Sequence, residues 1–69
     1  MERDVQRRLL TMRTVIAEVS LSRTEIWRRV QRGTFPKPIR LGPQRIAFVA
    51  SEIDAWVNAR VAERDAPRP

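Results

Sequence analysis

The sequence predicts a mainly α fold with a small β-hairpin, a winged helix-turn-helix in the order helix, turn, helix, hairpin, helix. Three observations carry that expectation. Two short amphipathic segments are separated only by Ser20-Leu21-Ser22, the second runs into Gly33 and a Phe-Pro-Lys-Pro breaker, and the positive charge collects between Ser20 and Arg45. Two helices joined by a turn of about three residues present the second helix as a unit able to enter the major groove of DNA.

The expected domain spans 9–64, preceded by a flexible arm of mixed charge over 1–8 and followed by a Pro-rich tail over 65–69. In the arm, Glu2, Arg3, Asp4, Arg7 and Arg8 surround a single Val without periodicity, the composition of a fraying terminus. Arg7 and Arg8 read either as solvated tail or as an arm reaching the minor groove. Thr11 is the first helix cap, because Met12, Val15, Ile16 and Val19 then recur at i, i+3, i+4 and i+7 as the apolar stripe of a short helix.

Ser22 and Glu25 have the spacing of a capping box, the Ser hydroxyl accepting from the backbone three residues on while the Glu carboxylate reaches back. The box starts a second helix over Arg23–Arg32, with Ile26 and Val30 as its buried edge and Leu21 as the apolar residue ahead of the cap. Gly33 ends it in the left-handed conformation, and Pro36 and Pro38 prevent continuation. Ile39-Arg40-Leu41 and Arg45-Ile46-Ala47-Phe48 then read as a hairpin turning at Gly42-Pro43-Gln44, which must lean on the helices because an isolated hairpin is marginal. Ser51 opens the third helix, whose buried stripe is Ile53, Trp56, Val57 and Val61, with Trp56 and Phe48 as large core aromatics.

Composition removes whole function classes. A chain of 69 residues is one domain with a small core. Without Cys or His there is no disulfide framework, no usual zinc site and no Ser-His or Cys-His nucleophile. Two glycines do not make a phosphate-cradling loop. Glu52 and Asp54 stand two apart on a helix and point in different directions, so they favour the helix dipole and are not a paired acid and base. No apolar run suits a membrane span or a signal peptide. The expectation is a non-enzymatic, cytoplasmic protein of the bacterial nucleoid, with no cofactor, no metal and no membrane partner.

The net charge of +6 has an address. Between Ser20 and Arg45 stand seven basic residues and one acid, Glu25, whereas the rest of the chain holds seven Arg and seven acids. Such a block attracts a phosphate backbone. An anionic membrane would call for a basic amphipathic helix, which Gly33, Pro36, Pro38 and Pro43 interrupt.

At about 100° per residue from Ile26, Thr24, Arg28 and Gln31 lie near roughly 160°, 200° and 140°, opposite the core. Their chemistry suits base edges: Arg on guanine, Gln on adenine, Thr on a thymine methyl or a polar edge. Ser22 and Arg23 at the helix start and Arg32 toward its end suit backbone contacts. Trp27 reads as either core edge or DNA backbone contact, and Arg29 lies beside the buried edge. Lys37, Arg40 and Arg45 are the wing residues expected on phosphate or in the minor groove.

These residues carry a resemblance. Leu21-Ser22-Arg23-Thr24, Ile26-Trp27-Arg28, Gly33-Thr34-Phe35-Pro36-Lys37-Pro38-Ile39 and Ser51-Glu52-Ile53-Asp54-Ala55-Trp56 resemble the AlpA family of prophage regulators. That family is grouped with phage excisionases and related to the DNA-binding domain of MerR-type regulators. The resemblance covers about residues 9 to 62, and the Gly-x-Phe-Pro-x-Pro run followed by Ser-Glu-x-Asp-x-Trp is its most specific element. It implies a winged helix-turn-helix bound to double-stranded DNA, acting either as a transcriptional regulator of prophage genes or as an excision factor that bends attachment-site DNA. The implied protein partners are RNA polymerase or an integrase.

The chain departs from the family pattern in four places. Ser20 stands where Gly is usual in the turn, Glu25 replaces a common Thr, Trp27 replaces Tyr, and Arg29 takes an apolar position. A left-handed Ser is strained, and an indole keeps an N–H donor where the phenol is lost. One such module covers about 600–1,000 Å² on DNA, too little for high specificity alone, so weak or DNA-assisted self-association is expected. A reading of another class is a small protein-binding module, an inhibitor or antitoxin, whose basic face meets an acidic partner.

Overall fold

The computed structural model describes residues 8–67. Residues 1–7 of the arm expected over 1–8, Arg7 included, and the last two residues of the tail lie outside the described residues. The elements in order are β1 Leu9–Leu10, α1 Met12–Val19, α2 Arg23–Arg32, β2 Ile39–Gly42, β3 Arg45–Val49 and α3 Ala50–Asp65. Three helices and one small antiparallel sheet of order β1-β3-β2 form the predicted winged helix-turn-helix.

The sheet has a strand that the sequence reading lacked. Leu9 pairs with Val49 and Leu10 with Phe48, and two residues are too few to show an alternating pattern. This pairing also sets the start of α3. Val49 is its N-cap with no side-chain cap, correcting the expectation of Ser51. The Ala50 N–H, which a helix start would otherwise leave unpaired, donates to the Arg8 carbonyl at 2.8 Å, so the strand runs directly into the helix. Arg8, placed at the end of the expected arm, is tied to the fold by this bond.

Thr11 caps α1 as expected, its hydroxyl accepting from the Thr14 N–H at 3.1 Å. Ser20 ends α1 at φ 60° and ψ 30°, donating its N–H to the Ile16 carbonyl at 2.9 Å. That single bond from a left-handed residue is the αL stop. Gly33 closes α2 at φ 80°, donating to Val30 at 3.1 Å, while the Thr34 N–H reaches the Arg29 carbonyl at 2.9 Å. The two bonds together are the Schellman pattern.

One apolar core joins all the helices and the sheet. Val15 of α1, Ile26 of α2, Phe48 of β3 and Ile53 of α3 are its fully buried large side chains, and no polar or charged residue is buried among the described residues. Phe35 belongs to this core although it lies in the loop, meeting Phe48 edge-on at 6.1 Å and Trp56 at 4.8 Å between ring centroids. Trp56, expected in the core, is half-buried, and its Nε1–H donates to the Thr34 carbonyl at 2.7 Å. These contacts hold the loop after α2 against α3, and through it the start of the wing. Val61, expected on the buried stripe, is 40% exposed, because α3 is exposed from Asn58 onward. No helix among the described residues is long and apolar enough to cross a membrane.

Candidate nucleic-acid interface

The chain leaves α1 through the left-handed Ser20 and re-enters helix at Arg23, with Ser22 extended at φ −73° and ψ 163° between them. The Ser22 hydroxyl accepts from the Glu25 N–H at 3.1 Å, so half of the expected capping box forms. The other half does not. The Glu25 carboxylate turns along the helix, 3.1 Å from Arg28 Nη1 and 3.6 Å from Arg29 Nε. Two cations one turn on outcompete a single backbone N–H for an exposed carboxylate.

Ile26 is the only fully buried residue of α2, and Val30 and Arg29 lie half-buried beside it. Arg29 runs along the domain surface, and its buried Nε has no hydrogen-bond acceptor, since Glu25 stands at ion-pair distance but beyond bonding reach. The opposite face is open: Thr24, Arg28 and Gln31 are exposed, as are Arg23 at the helix start and Arg32 toward its end. Trp27 joins that exposed side at 36% and takes no part in the core. Thr24, Arg28 and Gln31 thus share one solvent-facing strip of the helix, as the periodicity predicts.

The wing carries three further cations. Lys37, Arg40 and Arg45 are all exposed. Arg40 Nη1 donates to the Pro43 carbonyl at 3.2 Å, which braces the turn from inside. Arg40 pairs with Ile46 and Gly42 with Arg45, leaving Leu41 at a bulge without a cross-strand partner. Bulges bend and twist a strand locally, and here the bend lies one residue from the wing tip.

Pairing separates these cations from those of α3, although Arg8 and Arg13 also stand in no ion pair among the described residues. Among the described residues, Arg23, Arg32, Lys37, Arg40 and Arg45 stand in no ion pair, whereas Arg60 is held by Glu63 at 2.6 Å and Arg64 by Asp65 at 2.8 Å. Asp65 also raises the pKa of the Arg64 guanidinium above its ordinary value by hydrogen bonding, against a small opposing desolvation. No group of three or more metal-ligating side chains occurs among the described residues. The arrangement offers fixed positive charge, hydrogen-bond donors and one polar helical strip. It suits an extended polyanion with readable edges.

Comparison with known proteins places the chain in a family. A family model described as prophage CP4-57 regulatory protein (AlpA) matches residues 8–61. The chain is also 36% identical over 59 residues to an uncharacterized protein, ORF88, of Enterobacteria phage P4, an alignment covering 86% of this chain and 67% of that protein.

Proposed function

The chain belongs to the AlpA family of prophage regulatory proteins, and from that premise we propose that it is a sequence-specific double-stranded DNA-binding protein acting as a transcriptional regulator. In this reading α2 lies in the major groove. Thr24, Arg28 and Gln31 meet base edges, while Ser22, Arg23, Trp27 and Arg32 fix the helix on the backbone. The wing follows the neighbouring backbone or minor groove with Lys37, Arg40 and Arg45.

The observation that carries the reading is the exposed strip of Thr24, Arg28 and Gln31 on a capped helix, with Arg23 and Arg32 on the same helix in no ion pair among the described residues. The pairing of Arg28 with Glu25 does not oppose it. Both side chains are about half exposed, and such a helix-surface pair is worth only about 0.3–0.5 kcal/mol, so a guanine edge displaces the carboxylate readily.

The test is selection of bound duplexes from a random DNA pool, followed by titration of the selected site at several salt concentrations. A defined motif whose affinity falls steeply with salt supports the reading. No binding to any duplex at about 50 mM salt overturns it.

A further inference from the structure

One acid stands among the cations of α2. Glu25 is the only Asp or Glu between Ser20 and Arg45, and it lies on the flank of the helix beside the strip of Thr24, Arg28 and Gln31. At about 100° per residue it is roughly 60° from Arg28 and 40° from Arg29. Its two oxygens face different cations, Oε2 at 3.1 Å from Arg28 Nη1 and Oε1 at 3.6 Å from Arg29 Nε. Neither the core nor the helix cap needs this carboxylate. The side chain is 41% exposed, and the bond to Ser22 is made by the Glu25 backbone N–H.

We infer that Glu25 is a positioning residue that sets specificity, by holding Arg28 and Arg29 off the phosphate backbone so that Arg28 is released to a base edge and not to any duplex. The inference rests on the DNA-binding reading above. Phosphate contacts supply affinity without sequence information. An Arg28 that moves to a phosphate leaves behind a carboxylate facing the same polyanion, and the like charges repel. An Arg28 that moves to guanine meets the neutral O6 and N7 acceptors, two bonds in place of one. Because an exposed pair of this kind is weak, the discrimination comes from the repulsion left behind and not from the strength of the bond to Arg28.

Counting contacts gives the size. Without the carboxylate, Arg28 and Arg29 are both free for phosphates on a random-sequence duplex, whereas on the preferred site guanine already engages Arg28 and only Arg29 is free. The slope of log affinity against log salt then steepens by up to about 1.8 on the random duplex and by up to about 0.9 on the preferred one.

Glu25→Gln, which keeps the side-chain length and the backbone cap, tests this through its affinities for the selected duplex and for a random duplex across salt, with circular dichroism as the check on folding. The selected-over-random ratio is expected to fall about three- to tenfold at about 50 mM salt, mainly through tighter random binding. That change is expected to shrink when Arg28→Ala is already present. Asp54→Asn removes the same charge from an exposed position on α3 that stands in no ion pair among the described residues, and is expected to leave the ratio unchanged. The Arg28 Nε–H NMR signal of the unmodified chain needs no variant, and it is expected to move with the selected duplex and to stay in place with the random one. A defined motif for the wild type together with an unchanged ratio in Glu25→Gln overturns this inference and leaves the DNA reading standing, as does an Arg28 signal that moves equally with both duplexes. Absence of any duplex binding by the wild type removes both.

Discussion

The surface of α2 and the wing differs from the outer half of α3 in how each treats the same residue. Arginine is abundant in both. On α3, Arg60 is locked to Glu63 and lies over the Trp56 ring at 5.2 Å, and Arg64 is paired with its neighbour Asp65. On α2 and the wing, Arg23, Arg32, Arg40 and Arg45 have no carboxylate partner among the described residues. An abundance of Arg is thus not evidence of a binding surface by itself. What distinguishes the two regions is that α2 and the wing keep four Arg unpaired and let Arg28 and Arg29 share one carboxylate, Glu25, beside polar side chains held at a fixed pitch, whereas each Arg of the outer half of α3 has its own acid.

The comparison breaks most severely where the two regions are joined. Phe35 is 4% exposed and fills the space between Phe48 and Trp56. Phe35→Ala is expected to cost about 3–5 kcal/mol, against a total stability of about 3–10 kcal/mol for a chain of this length. Urea denaturation checks it. A loss under about 1 kcal/mol would mean that the loop is not held through this ring.

Next in size are changes on the uncompensated side that spare the fold. Arg28→Ala is expected to weaken binding to the preferred duplex by about 1–3 kcal/mol and to relax the choice at one base pair, as measured by competition between single-base variants of the site. If the loss is instead equal for every sequence, Arg28 touches phosphate. Arg45→Ala is expected to give that uniform loss, about three- to tenfold, and to lower the slope of log affinity against log salt by about 0.9.

Local signals on the α2 side were legible in the sequence. Ser22, Gly33, Pro36 and Pro38 act through their own backbone neighbours, so the limits of α2 and the exposed strip on it follow from spacing alone. The parts that were not legible depend on distant partners. Phe35 stands between a Thr and a Pro with no periodicity to mark it, and its burial is decided by Phe48 and by Trp56, far along the chain. β1 is invisible until β3 is placed beside it, and the same pairing moves the α3 cap from Ser51 to Val49. Val61 keeps helical register but lies beyond the end of the body it would pack on. Glu25 shows a local rule overridden locally, where helix-surface cations displaced half of a capping box.

Ser20 combines a legible position with a visible strain. The only positive-φ residue other than Gly among the described residues, it occupies a conformation that costs a side-chain-bearing residue roughly 1–2 kcal/mol. Ser20→Gly removes that strain but adds freedom to the unfolded chain, so the net gain is expected at about 0.5–1 kcal/mol. It is read as a higher urea midpoint with DNA affinity unchanged. A loss of affinity would show that the turn angle set by Ser20 tunes how α2 is presented.

The smallest effect is expected on the compensated side, and it tests the comparison most directly. Arg64 is highly exposed and its partner Asp65 is adjacent in sequence, so the pair closes no loop and orders no other element. The raised pKa of Arg64 comes from that neighbour and leaves the guanidinium charged at every pH at which the protein is handled, as an arginine is in any case. Arg64→Ala should therefore leave the melting temperature, the affinity for duplex DNA and its salt slope unchanged within error. The same truncation at Arg45 should move both the affinity and the slope. Equal losses at the two positions would mean that total charge, and not its compensation, governs binding. The exposed strip of α2 would then have to be re-examined as one part of a diffuse basic surface.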